Sequence, residues 1–216
     1  MTEPPTRVVP LPAVFLDRDG TIIVEKDFLG DPAGIELLPR AAEAIRMLNE
    51  RGYLVICVSN QSGVARGYYS EDAVRVVNLR LLAMLREQRA IVDNMFFCPH
   101  HPQGTVPEYR LVCDCRKPRT GMARTAMEKH AIDLSGSAMI GDRANDMQFG
   151  KNLGIPAVLV TTGYGQAEKE RIEDEHLSPP DYIAKDLYDA VSWVLQRPPA
   201  RASDEIQKVP KKTGDR

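Results

Sequence analysis

The stretch Ala13-Val-Phe-Leu-Asp-Arg-Asp-Gly-Thr21 governs the fold. Four apolar residues, Ala13 to Leu16, run without a break into Asp17, Arg18, Asp19 and Gly20. A short continuous apolar run suits a strand covered on both faces, as in a parallel sheet. Side chains on a strand alternate with a period of two, so Asp17 and Asp19 leave its end on the same side. Gly20 permits a sharp turn of the backbone there. Two convergent carboxylates repel each other and are comfortable when they hold a cation or share a proton. Mg²⁺ is the cation that hard oxygen ligands of this kind suit. Asp-x-Asp-Gly is also ordinary turn chemistry, so the surrounding segments decide between the two.

Working outward, three more apolar runs resemble the first. They are Tyr53–Val58, Ala138–Ile140 and Ala157–Val160, with Asn94–Phe97 as a weaker fifth strand. Helical patterns separate them. Arg40–Arg51 carries Ala41, Ala44, Ile45 and Leu48 on one face. Ser70 is a candidate N-cap for a helix reaching about Arg89, with Glu71 and Asp72 in its first turn. Gly121–His130, Asn145–Leu153 and Leu187–Leu195 complete the set. Strands alternating with helices predict an α/β, doubly wound, Rossmann-like parallel sheet with helices on both faces. Ligands in such folds sit at the carboxyl ends of the strands. Polar clusters stand there: Ser59-Asn60-Gln61-Ser62 after the second run, and Gly141-Asp142 to Asp146 after the fourth. Between them lies Arg116-Lys117-Pro118.

The chain has 216 residues, 43% of them hydrophobic, which suits one domain with a real core. Its 28 basic and 30 acidic residues leave a net charge of −2. That balance offers no overall attraction to nucleic acid or to a membrane surface. No apolar run approaches the roughly 20 residues of a membrane span, and the start has no apolar signal region. These features predict a cytoplasmic protein with no nucleic-acid or membrane partner. Low aromatic content and the lack of a coiled-coil pattern predict a monomer. The expected organisation is an extended, proline-rich lead-in over 1–12, one domain over 13–196 and a disordered tail over 197–216.

Taken together, the polar clusters resemble the four motifs of the haloacid-dehalogenase superfamily of phosphatases. Motif one is DRDGT at 17–21, motif two the Ser59 after an apolar strand, motif three Lys117, and motif four Gly141-Asp142 to Asp146. The resemblance implies a phosphomonoesterase with no large cap domain. It implies Asp17 as nucleophile, forming an aspartyl-phosphate, and Asp19 as general acid and base. Ser59 and Lys117 would hold the phosphoryl group, and Asp17, Asp142 and the Asp19 backbone carbonyl the Mg²⁺. Asp146 would orient Lys117 or a metal-bound water.

Three of the four cysteines, Cys98, Cys113 and Cys115, cluster with His100 and His101. Three thiolates and one imidazole suit a closed, structural Zn²⁺ site, whereas a cytosolic chain keeps thiols from pairing. Cys-x-His spacing favours His100 over His101 as the fourth ligand. Cys57 lies inside a strand run and reads as core. The loop 98–115 is mostly polar, so a metal clip gives it a reason to be ordered and to present Arg116 and Lys117.

With this loop, the chain is similar to the D-glycero-D-manno-heptose 1,7-bisphosphate 7-phosphatases, in FLDRDGTI, SNQSGVARGYY, CPHHPQG and CDCRKP. That resemblance implies a sugar bisphosphate substrate in nucleotide-heptose biosynthesis. It implies substrate contacts from Asn60, Gln61, Ser62, Arg116 and Arg143, the two arginines holding the second phosphate. The loop Glu25-Lys26-Asp27-Phe28 takes the place of a segment that often reads Asp-x-Gly-Tyr, and should partly cover the site. Rival expectations are a histidinol-phosphate or broad sugar-phosphate phosphatase, a DNA-end 3′-phosphatase, and a zinc-clipped module without catalysis. The related histidinol-phosphate enzymes have a shorter clip loop, and no aromatic-plus-basic platform supports DNA binding.

Overall fold

The computed structural model describes residues 9–197. Most of the expected lead-in and tail therefore lies outside the described residues. Leu11 and Pro12 do not belong to a lead-in: strand β1 spans Leu11–Leu16. Leu11 and Pro12 pair with Ile132 and Asp133, at the strand start, where proline's missing N–H is tolerated.

Six parallel strands form one sheet in the order β3-β2-β1-β4-β5-β6. The others are β2 (Leu54–Asn60), β3 (Asn94–Cys98), β4 (Ile132–Gly141), β5 (Ala157–Val160) and β6 (Tyr182–Ala184). The helices are α1 (Ala41–Glu50), α2 (Glu71–Glu87), α3 (Gly121–Lys129), α4 (Ala144–Leu153), α5 (Gly165–Asp174) and α6 (Leu187–Gln196). This is an α/β fold built on one parallel sheet, and no separate cap domain is inserted among the described residues. No helix of the described residues is long and apolar enough to cross a membrane.

The continuous apolar character of β1 has the expected cause. Val14 and Leu16 enter a core layer with α1, α2 and α6, while Ala13 and Phe15 enter a second layer with α3 and α4. All four are fully buried. Ser70 caps α2 through the Ala73 N–H at 3.2 Å. Two elements, α5 and β6, have no counterpart among the expected ones. Helix α5 buries only Gly165, Glu168 and Ile172, and β6 has three residues with Ile183 exposed. Strand β4 starts six residues before the expected Ala138, because its polar first half pairs with β1 before a register shift.

The strand order reverses between β1 and β4. A crevice opens at the carboxyl ends of a parallel sheet at such a switch point. Asp17 follows β1 and Asp142 follows β4, so both acids stand at that crevice.

Candidate active site

At the centre, Lys117 Nζ lies 2.9 Å from Asp17 Oδ1 and 2.7 Å from Asp146 Oδ1. Lys117 and Asp146 are buried, and their mutual attraction offsets part of the desolvation. Asp146 Oδ2 also accepts from the Arg143 N–H at 3.1 Å, at the start of α4. Both Asp146 oxygens are thus engaged, and the Lys117 ammonium is aimed at Asp17.

Asp17, Asp142 and Asp146 bring one carboxylate oxygen each within 4.8 Å of one another. Burial pushes the Asp142 carboxyl up to about 8, with repulsion from Asp17 and Asp146 adding to it. Asp142 Oδ2 accepts from the Tyr164 N–H at 2.9 Å, but its buried Oδ1 has no donor. Three acids against one lysine, with an orphaned oxygen, form a hard-oxygen set short of positive charge. Mg²⁺ fits that set. Gly20, at φ +74, is required here, since a Cβ would collide with the Asp142 carboxylate.

Asp19 is braced on two sides. The fully buried Arg18 grips it with Nε at 3.1 Å from Oδ2 and Nη2 at 3.1 Å from Oδ1. Asn78 of α2 in turn accepts from Arg18 Nη1 at 2.9 Å. Gln61 Nε2 reaches Asp19 Oδ2 at 2.8 Å and Ser59 Oγ at 2.7 Å, and its carbonyl accepts from the Tyr69 hydroxyl at 3.1 Å. Ser59 Oγ accepts from Gln61, which leaves its own O–H free to donate into the crevice. Asn60 exchanges two bonds with the Lys117 backbone, at 3.1 and 3.0 Å. The amides of Asn60 and Gln61 therefore brace Lys117, Asp19 and Ser59, and both residues line the cavity as well.

The other expected residues fall as follows. A cavity of about 350 Å³ is lined by Asp17, Asp19, Ser59, Lys117 and Asp146, and by Ser62, Arg116 and Arg143. Glu25, Asp27 and Phe28 line it from the loop after motif one. Lys26 does not: it turns away to Glu36, 3.3 Å distant. Asp27 and Phe28 both adopt positive φ, 42° and 66°. Asp27 is bonded to the Tyr164 hydroxyl, and Arg143 stacks 3.8 Å over the Tyr164 ring. Arg66, Tyr69, Asn145 and Tyr164 also line the cavity and were not singled out from the sequence, and His101, weighed there only as a rival zinc ligand, lines it too. For Arg66 and Tyr69 the signal was present in SNQSGVARGYY, whose length after Ser62 reaches back over the crevice.

Some distance along the same rim, Cys98, His100, Cys113 and Cys115 converge. The three sulfurs are 3.1, 3.2 and 3.4 Å apart, and His100 Nδ1 is 3.3 Å from Cys115 Sγ. A disulfide needs about 2.05 Å, whereas four ligands around Zn²⁺ at about 2.3 Å are separated by about 3.7 Å. Hydrogen bonding from Cys98 pulls the Cys115 thiol down to about 5. His101 accepts from the Gln103 N–H and faces the cavity instead.

Comparison with known proteins agrees with this geometry. The family model described as HAD-hydrolase-like matches residues 114–190. A D-glycero-D-manno-heptose-1,7-bisphosphate 7-phosphatase of Thermosynechococcus vestitus is 42% identical over 190 residues, covering 86% of this chain and 96% of its own. The D-glycero-beta-D-manno-heptose-1,7-bisphosphate 7-phosphatase of Escherichia coli K12 is 41% identical over 155 residues, 71% of this chain and 81% of its own. Among solved structures, the D,D-heptose 1,7-bisphosphate phosphatase of B. bronchiseptica, complexed with magnesium and phosphate, superposes with a TM-score of 0.74. It is 29% identical, over 86% of this chain and 99% of the other.

Proposed function

This chain belongs to the haloacid-dehalogenase-like heptose-1,7-bisphosphate 7-phosphatase family, and from that premise we infer that it removes the 7-phosphate of D-glycero-D-manno-heptose 1,7-bisphosphate. The carrying observation is the Lys117 ammonium held between Asp17 and Asp146, beside the orphaned Asp142 oxygen.

Asp17 attacks phosphorus in line, and the sugar oxygen leaves as an aspartyl-phosphate forms. Asp19 gives its proton to that oxygen, then takes one from the water that hydrolyses the intermediate. Lys117 and the Ser59 hydroxyl stabilise charge on the equatorial phosphoryl oxygens. Asp146 acts through Lys117, while Gln61 and Arg18 act through Ser59 and Asp19. Asp17, Asp142 and the Asp19 backbone carbonyl would hold Mg²⁺, which would supply the further positive charge that lets an anionic ester approach a carboxylate. Cys98, His100, Cys113 and Cys115 would hold a structural Zn²⁺, which would tie the loop to the end of β3. Arg116, Ser62, Glu25, Asp27 and Phe28 face the sugar.

The test is a comparison of kcat/KM for both anomers of heptose 1,7-bisphosphate against histidinol phosphate. One heptose anomer is expected to lead by at least an order of magnitude. Preference for histidinol phosphate overturns the substrate, and an Asp17→Asn protein as active as its parent overturns the mechanism.

A further inference from the structure

Four cations line the cavity: Arg66, Arg116, Lys117 and Arg143. Lys117 is paired with Asp17 and Asp146, and Arg143 has Glu25 within 3.8 Å. Among the described residues, no ion pair includes Arg66 or Arg116. The Arg66 Nε is buried and has no hydrogen-bond partner. Its guanidinium stands 5.7 Å from the Phe28 ring, a face that attracts a cation but accepts no hydrogen bond. Arg116 has one protein acceptor, the His100 carbonyl at 3.2 Å.

The backbone brings these groups together deliberately. Ala65, next to Arg66, accepts from the Thr105 and Val106 N–H groups at 2.7 and 3.0 Å, and its own N–H reaches the Pro99 carbonyl at 3.1 Å. The loop after β2 is thereby laced to the cysteine-bearing loop that carries His101 and Arg116. Arg66 and Arg116 therefore keep guanidinium N–H groups that a phosphate can take up.

We propose that Arg66 and Arg116, with His101 beside them, form the subsite for the second phosphate of a sugar bisphosphate, so that Arg66 rather than Arg143 shares that anion with Arg116. This rests on the substrate class inferred above. Arg143, stacked on Tyr164 and near Glu25, holds the loop after motif one instead. The cysteine clip then has a second purpose, since it positions half of the subsite that tells a bisphosphate from a monophosphate.

The experiment measures calorimetric binding of heptose 1,7-bisphosphate and heptose 7-phosphate to the Asp17→Asn protein, in the presence of Mg²⁺ and Zn²⁺. The bisphosphate is expected to bind more tightly. Adding Arg66→Gln should reduce that advantage by about tenfold to a hundredfold, the worth of a hydrogen bond to a charged group. Arg66→Lys should restore part of it. Equal loss for both ligands, no loss at all, or no advantage in the parent overturns the subsite. Turnover by the parent protein tests the proposed activity separately, because binding preference and hydrolysis are read in different assays.

Discussion

Arg18 stands in the x position of the Asp-x-Asp motif and is wholly buried. Arginine is among the residues least often found there, and it is tolerated only when paired and hydrogen-bonded. Strand alternation turns it away from Asp17, toward α2, where Asn78 meets it. Nothing in the residue types foretold this, because a lone arginine between two acids reads as a solvated charge. The two acids and the cysteine cluster were legible for the opposite reason: the acids follow an apolar run and the cysteines stand at ligand spacing, while Lys117 was read from its resemblance to motif three. The Arg18 clamp fixes the rotamer of Asp19 and so its reach to the departing oxygen. Arg18→Met is predicted to slow hydrolysis of alkyl phosphates by about a hundredfold or more, the usual worth of general acid catalysis. p-Nitrophenyl phosphate should lose far less, since its leaving group departs with little help from a proton. Steady-state rates on the two ester types check this. Equal losses would make Arg18 a purely structural residue.

At the scale of elements, the clip loop is the one with least core of its own. Between His101 and Cys115 only Gly104 is buried. Four ligands from two chain segments close it, and Cys98 ends β3. Because the loop leads into Arg116 and Lys117, its order matters for the phosphate site. Removal of zinc by a chelator, or Cys115→Ser, is predicted to lower the melting temperature by several degrees and to cut kcat/KM together. Metal analysis with thermal unfolding tests it, and a chelated protein that melts and works as before excludes a structural zinc. The loop was legible because Cys and His are chemically distinctive. Helix α5 and strand β6 were not, since Ile172 is the lone large apolar residue that α5 buries and β6 is a three-residue edge strand. Periodicity needs several apolar positions to register. The polar start of β4 hid for a related reason: that half is only partly buried, so alternation there is weak.

At the scale of the molecule, the reversal of strand order between β1 and β4 forces acids from distant parts of the chain into one buried crevice. Burial pushes Asp142 up to about 8 and Asp146 up to about 6, against an ordinary aspartate at 3.8. Lys117, buried between acids, is raised and stays charged throughout that range. An acid whose folded pKa is raised favours the folded state when protonated. Its contribution is therefore complete below the ordinary aspartate value and is lost as the pH rises through the folded values. In the metal-free protein the melting temperature should fall between about pH 4 and pH 8 on account of these two acids. Mg²⁺ takes the place of the lost protons, so its stabilising effect should be small at pH 5 and grow by pH 8.5. Thermal unfolding at several pH values, with and without Mg²⁺, separates the outcomes. Asp142→Asn should flatten both trends, because an amide in that position needs neither proton nor cation. A Mg²⁺ effect that is the same at both pH values, or that survives Asp142→Asn, would place the metal away from this crevice.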